Sequence, residues 1–258
     1  MLYNFDELEG KELKKTYDGR VIKFDLGGEV LYYKRPRFVD YYYNEVLAYK
    51  IGTSLNYNMT PYDFASYQDS IGWVSKNILN NSYVNMDDLL NRVYSSNTNK
   101  KNNLCDIKQA FEILFLDKSD LLFEQLIDIF LFDVLIGNSD RHTENYGLFI
   151  TEADVSFAPL FDHENMLDDR AIYDGEYCLG IDSGDYYNWQ ENLFYKFLDK
   201  YGSDYADKML RMLPVISEAN LLKMFSEFEE ETDVNDSIKE KVLKRFAVNE
   251  AMIRRGLS

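Results

Sequence analysis

The sequence predicts an α+β fold in two unequal lobes, a small β-rich one over residues 1–76 and a larger, mainly helical one over 77–258. Three observations point there. Strand-like runs and turn residues crowd the first part of the chain, one long apolar helix pattern lies near its middle, and from about Trp189 the pattern is helical to the end. At 258 residues, with 46% hydrophobic and 16% aromatic side chains, the chain can bury a substantial core.

In the first lobe, Arg20–Phe24 and Glu29–Lys34 flank Asp25-Leu-Gly-Gly28 and read as a hairpin. Residues 40–52 read as a helix, with Tyr43, Val46, Leu47 and Lys50 at i, i+3, i+4 and i+7 and Gly52 as its stop. Strands are expected near 62–67 and 71–75. In the second lobe, helices are expected at 86–94 and 106–115, separated by a polar loop at 97–103. Asp120–Ile136 presents a broad apolar face that Gly137 terminates. A polar loop at 138–145 follows, then strands at 146–150 and 156–160 around a TEAD turn. Further helices are expected at 190–200, 202–212, 217–228 and 235–254.

With 28 Lys plus Arg against 45 Asp plus Glu, the formal charge is -17. Such a surface repels nucleic-acid backbones and anionic membranes, so neither is expected as a direct partner. The two cysteines have no CxxC spacing and read as reduced thiols of a cytoplasmic protein. The acidic, polar start MLYNFDELEGKELKK carries no signal-peptide pattern, and the most apolar run, near Ile129–Ile136, is too short to span a bilayer.

The chemistry concentrates in Gly137-Asn-Ser-Asp140-Arg-His142-Thr-Glu-Asn145 and in Phe157-Ala-Pro-Leu-Phe-Asp162-His-Glu-Asn. A buried helix delivers the chain into the first polar loop, and the hairpin beyond it returns the chain, so Asp140, Asn145 and Asp162 should converge. A nucleotide's Mg²⁺ takes hard oxygen ligands from carboxylates and a carboxamide, and phosphoryl transfer needs a carboxylate beside the acceptor hydroxyl. Those three residues supply that inventory. A different chemistry, a hydrolase with His142 and His163 on a transition metal, uses the only two histidines.

Asp140-Arg-His142-Thr-Glu-Asn145 resembles the D-x-H-x-x-N catalytic loop shared by HipA-like serine/threonine kinases and the lipid-kinase superfamily, and Leu160-Phe161-Asp162 resembles the HipA-like replacement for DFG. The resemblance implies a bilobal protein-kinase-like fold and Mg²⁺- and ATP-dependent transfer to a serine or threonine hydroxyl. It also implies a protein substrate and an antitoxin or regulatory protein as partners. Asp140 then takes the catalytic role, His142 supports the loop, and Asn145 and Asp162 hold Mg²⁺. In the small lobe, Lys34 paired with the helical Glu45 would hold the α- and β-phosphates, with Lys23 as a rival for the lysine. Tyr17–Arg20, including Gly19 and Arg20, would cover the phosphates. Trp73–Asn77 would link the lobes, its backbone near Val74 and Lys76 facing adenine. Arg141 either contacts phosphate or anchors the loop to an acidic neighbour. A lipid or small-molecule hydroxyl as acceptor, and an inactive nucleotide-binding pseudokinase module, are the alternatives.

Overall fold

The computed structural model of the protein describes residues 3–7, 11–15, 19–38, 41–78, 80–94, 104–138, 140–167, 198, 204–230, 232 and 234–257. Its first part is a six-stranded sheet. The strands are β1 (Tyr3–Asn4), β2 (Lys11–Lys15), β3 (Val21–Leu26), β4 (Glu29–Lys34), β5 (Asp63–Tyr67) and β6 (Ser70–Lys76), in the order β1-β5-β6-β4-β3-β2. β1 runs parallel to β5 and every other pairing is antiparallel. The hairpin expected from DLGG is β3–β4. Leu26 pairs with Glu29, and Gly27 and Gly28 adopt φ of 66° and 96°, a turn that glycine makes without steric cost.

Two-residue alternation sorts this sheet into faces. Ile22, Phe24, Leu31, Tyr33 and Val74 close a core of their own with Phe5, Ala65 and Tyr67. On the other face, Phe64 and Trp73 join the main core together with helix α1 (Asn44–Ser54). The expected stop at Gly52 is therefore wrong. The helix runs on to Ser54, and Gly52 lies inside it where Met59 packs, a Cβ there standing 2.5 Å from the Met59 sulfur.

The second part is built on α4 (Ser119–Ile136), in which residues from Leu126 to Ile136 are almost all buried. Gly137 caps it at φ 64°. Against it pack α3 (Leu104–Leu114), α5 (Asp204–Met212) and α7 (Asp236–Gly256), with α2 (Met86–Val93) on α3 and α6 (Glu218–Glu229) on α7. A small sheet, β7-β8-β9 (Tyr83–Asn85, Gly147–Ile150, Val155–Phe157), lies beside α4. The helix expected at 190–200 lies outside the described residues apart from the helical Leu198. Among the described residues no helix is long and apolar enough to cross a membrane.

Candidate active site

Strand alternation decides which side chains reach the cleft. On β4, Leu31 and Tyr33 point into the small core, so Tyr32 and Lys34 occupy the opposite face. There Tyr32 and Lys34 meet Thr60, Tyr62, Phe161 and Asp162 around a cleft of about 340 Å³. The Thr60 hydroxyl in its wall is buried and has no protein partner.

Lys34 gathers three carboxylates. Its Nζ lies 2.5 Å from Asp162, 3.2 Å from Glu164 and 3.8 Å from Glu45, and 5.6 Å from the centre of the Trp73 ring. Burial works to lower the Lys34 pKa, but Asp162, Glu45 and Glu164 outweigh it and raise the value above that of an ordinary lysine. Lys23 instead lies over the Tyr32 ring at 6.0 Å. The helical Glu45 is fully buried, and its second oxygen accepts from the His163 amide at 2.9 Å.

The loop after α4 is shaped by a buried ion pair. Arg141 is wholly buried and donates through Nε and Nη2 to the two oxygens of Asp133, each at 3.0 Å. Its Nη1 donates to the carbonyls of Asn145 and Phe161, both at 2.8 Å. One guanidinium thus ties the end of the loop to the residue preceding Asp162. Of the two roles open to Arg141, the anchor is the one observed. Asn138 adds a third contact to Asp133 at 2.8 Å.

Asp140 accepts from Asn165 at 2.6 Å through one carboxylate oxygen, while its carbonyl accepts from the Asn145 carboxamide at 2.9 Å. That bond spends the Asn145 amide and leaves its oxygen as the remaining donor atom for a cation. Burial raises the Asp140 pKa against the opposing pull of His142, and the charge of Asp162 adds to the rise. For Asp162 burial also pushes upward, but Lys34 prevails and lowers the value, keeping the carboxylate ionised. Asp162 sits at φ 62°, a left-handed conformation that few side-chain-bearing residues adopt and that clusters at functional sites.

His142 contributes through its backbone, donating to the Asp140 carbonyl at 3.0 Å and accepting from the Asn145 amide at 2.9 Å. Its half-exposed ring accepts weakly from the Glu144 amide at 3.3 Å. His163 is fully buried against Phe132, with ring centres 5.7 Å apart. No group of three His, Cys, Asp or Glu suited to a metal occurs among the described residues, and a two-histidine hydrolase site finds no support there.

Gly19 adopts φ 72° with open space around it, and Arg20 is held by Glu164. Tyr17 and Asp18 lie outside the described residues. Of the segment expected to link the lobes, Trp73–Lys76 lie in the strand expected near 71–75 and Asn77 follows it. Residues 70–76 form a strand with β4 on one side and β5 on the other, and Val74 points into the small core, away from the cleft. Ser75, Lys76, Asn77 and Ile78 line the cleft edge instead, Lys76 mostly exposed and 2.5 Å from Glu29. Sequence reasoning missed Glu164, Asn165 and Thr60. The polar run Asp162–Asn165 was the one available signal for the first two.

The HipA-like C-terminal domain family matches residues 12–234. Among solved structures, the Helicobacter pylori proinflammatory kinase CtkA is similar at TM-score 0.75 and 20% identity, over 100% of this chain and 98% of that one. HipA of the Shewanella oneidensis MR-1 toxin–antitoxin system, solved with HipB and its operator DNA, is similar at TM-score 0.62 and 15% identity, over 95% of this chain and 63% of that one. No curated protein matches the sequence.

Proposed function

The chain belongs to the HipA-like C-terminal domain family, and from that premise we propose that it is a kinase that uses ATP and Mg²⁺ to phosphorylate a serine or threonine hydroxyl of a protein. The observation that carries the reading is that Lys34 and Asp162 meet at one cleft, while Arg141 ties the Asp140–Asn145 loop to Phe161 beside Asp162, near enough for the Asp162 charge to act on Asp140. The residues present fit both groups. The cleft offers a cation, apolar walls and an orphan hydroxyl at Thr60 to a nucleotide, and Asp162 with the Asn145 oxygen offers hard donors to Mg²⁺. Bound there, the ion would neutralise charge on the phosphate oxygens.

The chain's own residues then divide the work. Lys34 is a compact charge on a flexible stem that exchanges Asp162 for phosphate oxygens while Glu45 stays beside it. Asp140, with one oxygen fixed by Asn165, orients the acceptor hydroxyl and takes its proton as the oxygen attacks. Arg141 keeps both loops in register. The division into a lobe over 1–76 and a lobe over 77–258, a cytoplasmic setting, and a regulatory or antitoxin protein as partner belong to the same reading.

Calorimetric titration of ATP with and without Mg²⁺ tests it. The expected result is Mg²⁺-dependent binding, weakened far more with Mg²⁺ than without it by Asp162→Asn. Equal losses in both conditions would show Asp162 to be purely structural.

A further inference from the structure

We infer that Glu164 is a positioning residue of this site, clamping the entry to β3 and the exit of β4 onto the metal-site loop at a cost in nucleotide affinity. The inference rests on the kinase reading above. Glu164 is buried, yet it stands where four segments meet. Arg20, one residue before β3, reaches both of its oxygens at 2.9 and 3.0 Å. Lys34, at the end of β4, lies 3.2 Å away, and the Arg37 amide, on the way to α1, donates to it. Asn44, the first residue of α1, holds the Glu164 carbonyl at 2.6 Å. Removing a carboxylate from water is costly unless charges and hydrogen bonds compensate it. Here two cations and an amide do so, and each of the three comes from the sheet side of the cleft.

The clamp has an electrostatic consequence. Lys34 faces Asp162, Glu45 and Glu164, one positive group against three negative ones, with Arg20 offsetting Glu164 and Arg141 acting on Asp162 from the loop side. Anionic phosphates entering the cleft must therefore compete with Glu164 for Lys34 and approach a carboxylate of like charge. Glu164→Gln keeps the shape and removes both obstacles, so nucleotide binds more tightly. The same substitution replaces the charged bond from Arg20 Nη1, shared between both oxygens, by a neutral one, which loosens the strand entry beside the phosphates. Geometry held to a fraction of an ångström governs transfer, so turnover falls while affinity rises. A glutamate that merely stabilised the fold would, on removal, weaken both.

The test measures Mg²⁺-ATP affinity by calorimetry and phosphate transfer by label from ATP in wild type, Glu164→Gln, Arg20→Gln and the double variant. Glu164→Gln should tighten binding by roughly three- to tenfold and slow transfer at least about tenfold. The double variant should transfer no more slowly than the slower single one, because the two side chains act as one unit. Weaker binding in Glu164→Gln, or independent losses that multiply in the double variant, would overturn the proposal. If wild type binds Mg²⁺-ATP but transfers no label, the kinase reading fails while the affinity comparison still decides the clamp. If it binds no Mg²⁺-ATP, hydrogen exchange at Val21–Phe24 and Arg35–Arg37 decides instead. Faster exchange in Glu164→Gln supports the clamp and unchanged exchange refutes it.

Discussion

Arg141 shows how much of the site hangs on a side chain that never meets solvent. Its pair with Asp133 fixes the loop to α4, and its third nitrogen joins Asn145 to Phe161. Arg141→Met should leave Asp133 buried without its counter-charge, at about 3–5 kcal/mol. Urea unfolding measures this, and a loss below about 1 kcal/mol would mean that Asn138 and solvent suffice for Asp133. Asp140 acts on a different quantity. Asp140→Ala should slow transfer by about 10²-fold or more, with Mg²⁺-ATP affinity nearly unchanged. Equal turnover in the variant removes Asp140 from the chemistry. The sequence made Asp140, Asn145 and Asp162 conspicuous through spacing, because their roles depend on a loop and a hairpin close together in the chain. Glu164 escaped notice because its partner Arg20 lies 144 residues away, and no local pattern marks such a meeting.

At the scale of elements, legibility followed burial. β3 and β4 were readable because each buries every second residue, and α4 because it is a long, nearly continuous apolar run buried all round. β2, with the sequence Lys-Glu-Leu-Lys-Lys, lies at the sheet edge and carries no alternation to read, and β1 and β7 are only two and three residues long. Trp73–Asn77 reads both as the end of a strand and as a link between lobes, because Trp73 and Val74 pack into two different cores and neither face is apolar along the chain. The end of α4 carries a feature that sequence alone does not reveal. Asn249, on α7, donates to the carbonyls of Val134 and Leu135 at 3.0 and 2.8 Å, supplying partners that the last turn of a helix lacks. Asn249→Ala should cost about 1–3 kcal/mol and lower the thermal midpoint. An unchanged midpoint would mean that other groups already satisfy the end of α4.

For the molecule as a whole, the formal charge is -17, and even beside the cleft Lys34 is surrounded by three carboxylates. At physiological salt the chain should show no retardation of duplex DNA in a gel, since phosphate contacts dominate such binding and an acidic surface opposes them. The family match and the similarity to CtkA fix the scaffold, whereas the acceptor follows from surfaces that scaffold alone does not specify. The central claim is that the Lys34–Asp162 cleft, served by Asp140, passes phosphate to a protein hydroxyl. Its most direct test is to incubate the purified chain with γ-labelled ATP, Mg²⁺ and host lysate, beside Asp140→Ala, and to separate protein from lipid and small molecules. The account predicts label on serine or threonine of one or a few proteins, absent with the variant and absent when Mg²⁺ is chelated. Label confined to the lipid or small-molecule fraction, or equal label with Asp140→Ala, would contradict it.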